Sequence, residues 1–357
     1  MGRPLEGVTV IDLTTLLPGP LATLMLAEAG ATVIKIERPG GDEMRRFPPF
    51  RNGVSAPFAL LNRGKTCETM DLKEAGDRNR LLALIDRADI LVEQFRPGVM
   101  ARLGLGYEDL KARNPRLIYC SISGYGQEGP RAGEAGHDLN YIGATGLLAL
   151  APGPSDQPVV PPALVADIGG GSFPAVINIL LALRERERTG RGCRLDIAMA
   201  DAMFTFAWYA WAIRFATGQA PEPGALPLAG GSPRYQLYPT ADGQLVACAA
   251  LEQKFWDAFT TAIGLAGPLA DDRGDPAATR AAVAAIIAGR DAATWRPILA
   301  QADCCATLVA TLDEALADPH FIARGLVPGR LEESDGMPPL PVPIAPAFRE
   351  ATEGPGL

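Results

Sequence analysis

The spacing of apolar residues changes along the chain. Residues 7–13 (GVTVIDL) form a short β-branched run that predicts a buried strand. Pro18-Gly19-Pro20 mark a turn, and residues 21–29 continue as a helix that Gly30 ends. Residues 32–37 (TVIKIE) predict a second strand, closed by Pro39-Gly40-Gly41. After a loop, residues 77–88 read as an amphipathic helix and 89–93 as a strand. Residues 117–123 (LIYCSIS) predict another strand, followed by Gly124-Tyr125-Gly126. Strands alternating with helices imply a parallel sheet with helices on its faces. Ligands of such sheets sit at the carboxyl ends of the strands.

The second half reads differently. From Asp167 an apolar stretch runs to Leu183 and then into Arg-Glu-Arg-Glu-Arg, which predicts one long helix with a solvated end. Its apolar part, residues 173–183, is interrupted by Pro174 and Asn178 and is too short to span a bilayer. Residues 199–217 predict a second, aromatic-rich helix, and 220–233 a Pro/Gly-rich linker. Residues 234–249 alternate like strands around a hairpin turn at Ala241-Asp242-Gly243. Alanine-rich helical segments follow to about residue 316, which makes a smaller α+β domain. The proline-rich stretch 338–343 is extended and suited to packing back on the first domain.

Composition narrows the class. A length of 357 residues suggests about two domains. With 48% hydrophobic and 21% charged residues, the chain has ample material for a core. The net charge of −8 and the lack of any Lys/Arg-rich run argue against nucleic acid as a partner. The six cysteines form no C-x-x-C pair and the histidines number two, so no zinc site is expected. Scattered thiols fit a reducing cytosol. The N-terminus leads directly into a strand without an apolar h-region, so a cytoplasmic protein without a signal peptide is expected.

The candidate chemistry centres on His137, one of the two histidines, and on Asp167, thirty positions later and followed by Ile-Gly-Gly-Gly-Ser. A histidine and a carboxylate can remove a proton from one face of a carbon and return one to the other. The plainer alternatives are a hydrogen-bonded structural histidine and an N-cap aspartate. At a helix start, Asp167 is expected to stay ionised in the field of the dipole. The glycines after it would let a ligand approach backbone N–H groups able to hold an enolate-like oxygen. Arg38, the Arg63/Lys65 pair and Arg96 look like residues following strand ends, where they would gather to bind phosphates. The first βα turn, Thr14 to Pro20, lacks G-x-G-x-x-G, which argues against a nicotinamide site. No P-loop and no G-x-S-x-G elbow is present.

Several segments carry a resemblance. They are VIKIERPGGD (33–42), FRPGV (95–99), LGLG (103–106), SGYGQEGP (123–130), GHDLNY (136–141), DIGGGS (167–172) and DPHFIARG (318–325). Together and in order they resemble the family III (CaiB/BaiF-type) CoA-transferases, and within them the α-methylacyl-CoA racemases, over nearly the whole length. Gly-His-Asp at 136–138 is the racemase version; the transferases typically have an aromatic residue near the histidine position. Leu16-Leu17-Pro18-Gly19-Pro20 departs from the usual racemase first turn and leaves the acyl preference open.

The resemblance implies a large Rossmann-like α/β domain, residues 1–190, completed by the C-terminal tail 330–357. It implies a linker helix and loop at 191–232, a small α+β domain at 233–316 and a return linker at 317–329, in an interlocked homodimer. It implies acid/base roles for His137 and Asp167, with Glu252 partnering the histidine from the small domain. CoA contacts carry over to Arg38, to Leu60, Leu61, Asn62 and Arg63, to Ala88, Asp89 and Ile90, and to Arg96. They also carry over to Gly136, Asp138, Leu139, Asn140 and Tyr141. The implied reaction is a 1,1-proton transfer on a 2-methylacyl-CoA in fatty acid metabolism, with no metal, no nicotinamide and no membrane partner. Two other readings remain open: a CoA-transferase using Asp167 as nucleophile, and a non-catalytic acyl-CoA-binding protein.

Overall fold

The computed structural model describes residues 2–151, 153–154, 156–326 and 339–349. Among the described residues up to 198 lie eight short strands: β1 (Thr9–Leu13), β2 (Thr32–Glu37), β3 (Phe50–Arg51), β4 (Val54–Ser55), β5 (Thr66–Thr69), β6 (Ile90–Glu93), β7 (Ile118–Ser123) and β8 (Arg194–Ala198). Six of them form one parallel sheet in the order β5-β2-β1-β6-β7-β8, while β3 and β4 make a small antiparallel hairpin. The strands run in both directions outward from β1, so the order reverses between β1 and β6. That switch point is where open α/β sheets present a crevice.

Both faces of the sheet are covered. Alternate residues Ile11, Leu13, Leu91 and Tyr119 pack against Leu81, Ile85, Met100, Leu105 and Leu110, which come from the helices Ala75–Ile85, Val99–Arg102 and Tyr107–Arg113 and the turns beside them. The helices Pro18–Glu28 and Phe173–Thr189 also lie against the sheet. The second of these buries Ala175, Ile179 and Ala182 at helical spacing. A third cluster joins Leu21, Leu24, Met25, Phe58 and Leu61 to Val342 from the C-terminal stretch.

Polar groups at the carboxyl edge form a buried charged network. Lys65 Nζ donates to Asp12 Oδ2 (3.1 Å), Thr23 Oγ1 (2.8 Å), Asn62 Oδ1 (3.0 Å) and the Pro20 carbonyl (2.9 Å). Asp12 also accepts from Thr14 N (2.9 Å) and Thr23 Oγ1 (2.6 Å). Beside it, Lys35 Nζ donates to the Thr14 carbonyl (2.7 Å) and lies 3.0 Å from Asp42 Oδ2. Burial by itself would raise the Asp12 carboxyl. The Lys65 and Lys35 charges and the threonine hydroxyls outweigh it and hold Asp12 at about 2.

The chain divides into two compact units. The first holds the described residues of Met1–Thr145, Pro162–Phe206 and Gly325–Leu357; the second holds those of Gly146–Pro161 and Ala207–Arg324. In the second, β9 (Tyr235–Pro239), β10 (Leu245–Ala249) and β11 (Ala306–Leu308) form an antiparallel sheet in the order β11-β10-β9. Trp256, Phe259, Val283 and Trp295 fill its core, and both indoles donate to carbonyls, of Ala270 (2.7 Å) and Ile287 (2.9 Å).

Several elements differ from the sequence expectation. Residues 191–232 are not simply linker, because β8 occupies 194–198 and pairs with β7. Its alternating Arg194 and Asp196 mark a solvated sheet edge and hide the strand. The aromatic stretch 199–217 is not one helix. Met199 N and Ala200 N bond to Ser123 and Gly124 carbonyls and prolong the sheet contact. Helices then run over Met203–Phe206 and Trp208–Thr217 with a break at Ala207. The stretch that contains Asp167 is the expected long helix, 24 helical residues from Ala166 to Thr189, long and apolar enough by length and composition alone to cross a membrane. The charged run from Arg184 to Arg188 and the stripe packed on the sheet fit a core helix as well. Residues 312–316 and 319–323 are helical, so the stretch 317–329 is linker only in part; residues 327–338 and 350–357 lie outside the described set.

Lys65→Met leaves Asp12 buried without its counter-charge, a loss expected to cost about 3–5 kcal/mol. Urea unfolding measures it, and the double variant Asp12→Leu/Lys65→Met is expected to recover part of the loss. A single variant as stable as the parent contradicts the role given to the pair.

Candidate active site

β7 delivers the chain to the carboxyl edge of the sheet, and residues 124–137 loop into the helix Asp138–Ala144. His137 precedes that helix. Its N–H donates to Asn140 Oδ1 (3.0 Å), and Asn140 N donates back to the His137 carbonyl (2.8 Å). This reciprocal turn leaves the imidazole exposed. The Tyr141 ring sets the loop's shape. A Cβ on Gly124 would come within 2.4 Å of it, and one on Gly136 within 2.7 Å, so only glycine fits at either place. Tyr141 also donates its hydroxyl to the Gly136 carbonyl and stacks edge-on with Tyr125 at 5.2 Å.

Asp138 points inward. Its Oδ1 accepts the backbone N–H groups of Ala166 (2.6 Å) and Asp167 (3.0 Å). Those two residues open a π-helical segment, Ala166–Ser172, that runs on into the Phe173–Thr189 helix. Such wide turns are rare and often found at functional sites. Ser172 Oγ donates to the Pro18 carbonyl (2.8 Å), which ties the segment to the helix after β1.

The sequence suggested that the helix dipole favours the ionised Asp167 carboxyl; in the structure the carboxyl is raised above its ordinary range instead. Burial raises it first, and the neighbouring Asp138 charge raises it further. His137 opposes them, and the result is about 6. The dipole loses because the first N–H donors of the segment are already bonded to Asp138 Oδ1. The glycines also differ from expectation. A Cβ on Gly170 would meet the Met199 carbonyl at 2.3 Å, and one on Gly171 would meet Pro18 at 2.9 Å. These two glycines are buried and serve packing within the protein.

The structure brings some predicted residues together and separates others. Tyr141 is in electrostatic reach of both Asp167 and Arg96: its hydroxyl is pushed up to about 12, chiefly by burial and then by Asp167, with Arg96 opposing. Arg38 follows β2 and Arg96 follows β6, both exposed at the carboxyl edge. Arg38 is paired with Glu43 at 2.6 Å.

Arg63 and Lys65 do not follow a strand; they precede β5, whose polar TCET sequence conceals it. Arg63 pairs with Glu28, the last residue of the Pro18–Glu28 helix. Lys65 is spent in the buried network. Leu60 lies half-buried on the helix Ala56–Asn62, Leu61 is in the core, and Asn62 holds Lys65. Ala88, Asp89 and Ile90 lie at the amino end of β6, the edge opposite His137. Ala88 and Ile90 are buried, and Asp89 is paired with Arg186 at 2.9 Å. Asp138 is likewise occupied within the fold, whereas Leu139 and Asn140 are exposed. Glu252 belongs to the second unit, where it is an exposed N-cap of the helix Gln253–Ile263.

Two features went unread in the sequence. Gln94, immediately after β6, accepts Gly19 N (3.1 Å) across the switch point, and its place directly after a predicted strand was the available signal. Glu37 closes β2, where dinucleotide enzymes keep a ribose-binding acid. Here Arg45 takes it at 2.7 and 2.6 Å and Asp42 N at 2.9 Å, which leaves it little capacity for a ribose.

The model of the family described as CoA-transferase family III matches residues 5–355. An alpha-methylacyl-CoA racemase of Homo sapiens is 34% identical over 97% of this chain and 89% of its own length. An acetyl-CoA:oxalate CoA-transferase of Acetobacter aceti is 35% identical over 99% of this chain and 92% of its own. The crystal structure of a CAIB/BAIF family protein from Brucella suis superposes with a TM-score of 0.82 at 33% identity, covering 97% of this chain and 93% of that one.

The raised Asp167 carboxyl has a consequence for stability. Its value in the fold, about 6, exceeds its ordinary 3.8, so the folded state binds the proton more tightly. The resulting stabilisation is complete below about pH 4 and is lost as pH rises through 6. Asp167→Asn is therefore expected to be more stable than the parent above pH 6, by about 1–2 kcal/mol after solvent screening, with the difference vanishing near pH 4. Thermal melts across that range check the sign; a variant less stable at pH 8 contradicts it.

Proposed function

The chain belongs to CoA-transferase family III, and we propose that within it this protein is an α-methylacyl-CoA racemase. The observation that carries this reading is the Asp138 bridge. It ties the residue next to His137 to the backbone of Asp167, so an exposed imidazole and a half-buried carboxyl stand in electrostatic reach of each other.

One of the two removes the α-proton of a 2-methylacyl-CoA. The C–H electron pair moves into the thioester carbonyl to give an enolate. The other group, protonated, returns a proton to the opposite face. The enolate's electrons form the new C–H bond, and the two groups exchange protonation states. A carboxyl near 6 suits both roles, since catalytic acids and bases work best close to ambient pH. The thioester itself makes the proton labile, so the proposed chemistry draws on no metal or nicotinamide. Arg38 and Arg96, exposed at the carboxyl edge, are the candidate phosphate contacts for CoA. Glu252 is proposed to partner His137. The free state of all six cysteines fits the cytoplasmic setting proposed here.

We also propose that the protein works as a homodimer, interlocked as the family resemblance implies. Phe173, Ile177, Leu180 and Leu181 form an exposed apolar stripe on one helix, and Trp208, Trp211 and Phe215 form another in the second unit. Patches of this kind mark interfaces.

Two measurements test these readings. A single enantiomer of a 2-methylacyl-CoA is incubated in D2O without an acceptor acid. Deuterium uptake with loss of enantiomeric purity is expected, reduced about 10²–10⁴-fold in His137→Ala. No uptake across several acyl chains, with CoA exchange on adding free carboxylic acids, establishes the transferase instead. Sedimentation equilibrium is expected to give twice the chain mass of 37.6 kDa; a monomer overturns the dimer.

A further inference from the structure

The Asp138 carboxylate is 5% exposed, too enclosed to meet a CoA molecule directly, yet it is one residue from His137. Its contacts are directed at Asp167's own backbone: Oδ1 takes the N–H groups of Ala166 at 2.6 Å and of Asp167 at 3.0 Å. At a helix start those donors normally stabilise an adjacent carboxylate. Here another carboxylate has claimed them and brings its own negative charge.

We propose that Asp138 is a positioning residue that keeps Asp167 able to donate as well as accept a proton, by taking its helix donors, fixing its backbone and facing it with a like charge. This rests on the racemase reading and deepens it. In a 1,1-proton transfer that runs both ways, each group must be stable in both protonation states. A solvated or dipole-stabilised aspartate would be a poor acid near neutrality, because it would seldom hold the proton.

The charged surroundings leave Asp138 as the group that does this. From the 138–144 helix and its cap, His137, Asp138 and Tyr141 face Asp167. Burial and Asp138 raise the carboxyl, while His137 lowers it. The Pro18–Glu28 helix contributes one acid, Glu28 at its far end, paired with Arg63. The Met203–Phe206 helix has no ionisable group. On β8, Asp196 accepts the Gln127 N–H at 2.9 Å, and Arg194 stands at the strand's start.

Asp138→Asn is the discriminating change, because it keeps a carbonyl oxygen for the two N–H donors and removes only the charge. The full-length protein is labelled with [4-13C]aspartate, and the carboxyl resonance lost in Asp167→Asn is titrated. The expected result is a roughly tenfold fall in the proton affinity of Asp167 in Asp138→Asn. The acidic limb of the kcat pH profile should move to lower pH with KM little changed. Asp138→Ala, which also removes the acceptor, is expected to lose kcat further. An unchanged midpoint in Asp138→Asn overturns the proposal. A shifted midpoint in a protein that shows no α-proton exchange upholds the tuning by Asp138 and rejects the racemase reading alone.

Discussion

The buried pairing of Asp12 with Lys65, flanked by Lys35 and Asp42, is the constraint on which the carboxyl edge depends. Charges taken out of water are tolerated only when each finds partners. Lys65 meets four oxygens, and Asp12 meets Thr14 and Thr23 as well as the lysine. The network therefore fixes the turn after β1 and the first turn of the following helix. That helix start carries the Pro18 carbonyl, to which Ser172 is bonded, and Gly19 N, which reaches Gln94 across the switch point. The segment that bears Asp167 thus rests on a scaffold whose position is set by buried charges.

Above that scaffold the site uses two aspartates in contrasting states. Asp138 is held by two backbone donors, and its charge and the burial around Asp167 work against ionisation of the second carboxyl. Such an arrangement costs stability, and sites that move protons commonly carry that cost. The glycines around the site are set by packing. Gly124 and Gly136 yield space to the Tyr141 ring, and Gly170 and Gly171 yield it to Met199 and Pro18.

Much of the fold was legible in the chain. The strands at 9–13, 32–37, 90–93 and 118–123 carry β-branched, apolar runs because they are buried on both faces, and they fall within a residue or two of their expected places. The edge strands β5 and β8 were not legible. An edge strand needs only part of its surface apolar, so Thr66-Cys67-Glu68-Thr69 and the start of β8 look like loop. Missing β5 misplaced Arg63 and Lys65 relative to the strand ends. Ala88, Asp89 and Ile90, expected as CoA contacts, lie at the amino end of β6.

The sequence by itself determined the class of the molecule, the parallel sheet and the two residues proposed here as the acid/base pair, because periodicity and motif residues are local properties. His137 and Asp167 stood out by residue type and neighbours alone. Only the tertiary structure decided what those groups experience. Whether a lysine is a phosphate ligand or a buried counter-ion depends on atoms far away in the chain; for Lys65 the deciding partner is Asp12, 53 positions earlier. How tightly Asp167 holds its proton depends first on its burial and then on Asp138, 29 positions away, whose carboxylate accepts the Asp167 N–H. Proton affinity follows from burial and from the charges that folding brings within a few ångströms, and neither is written at any single position.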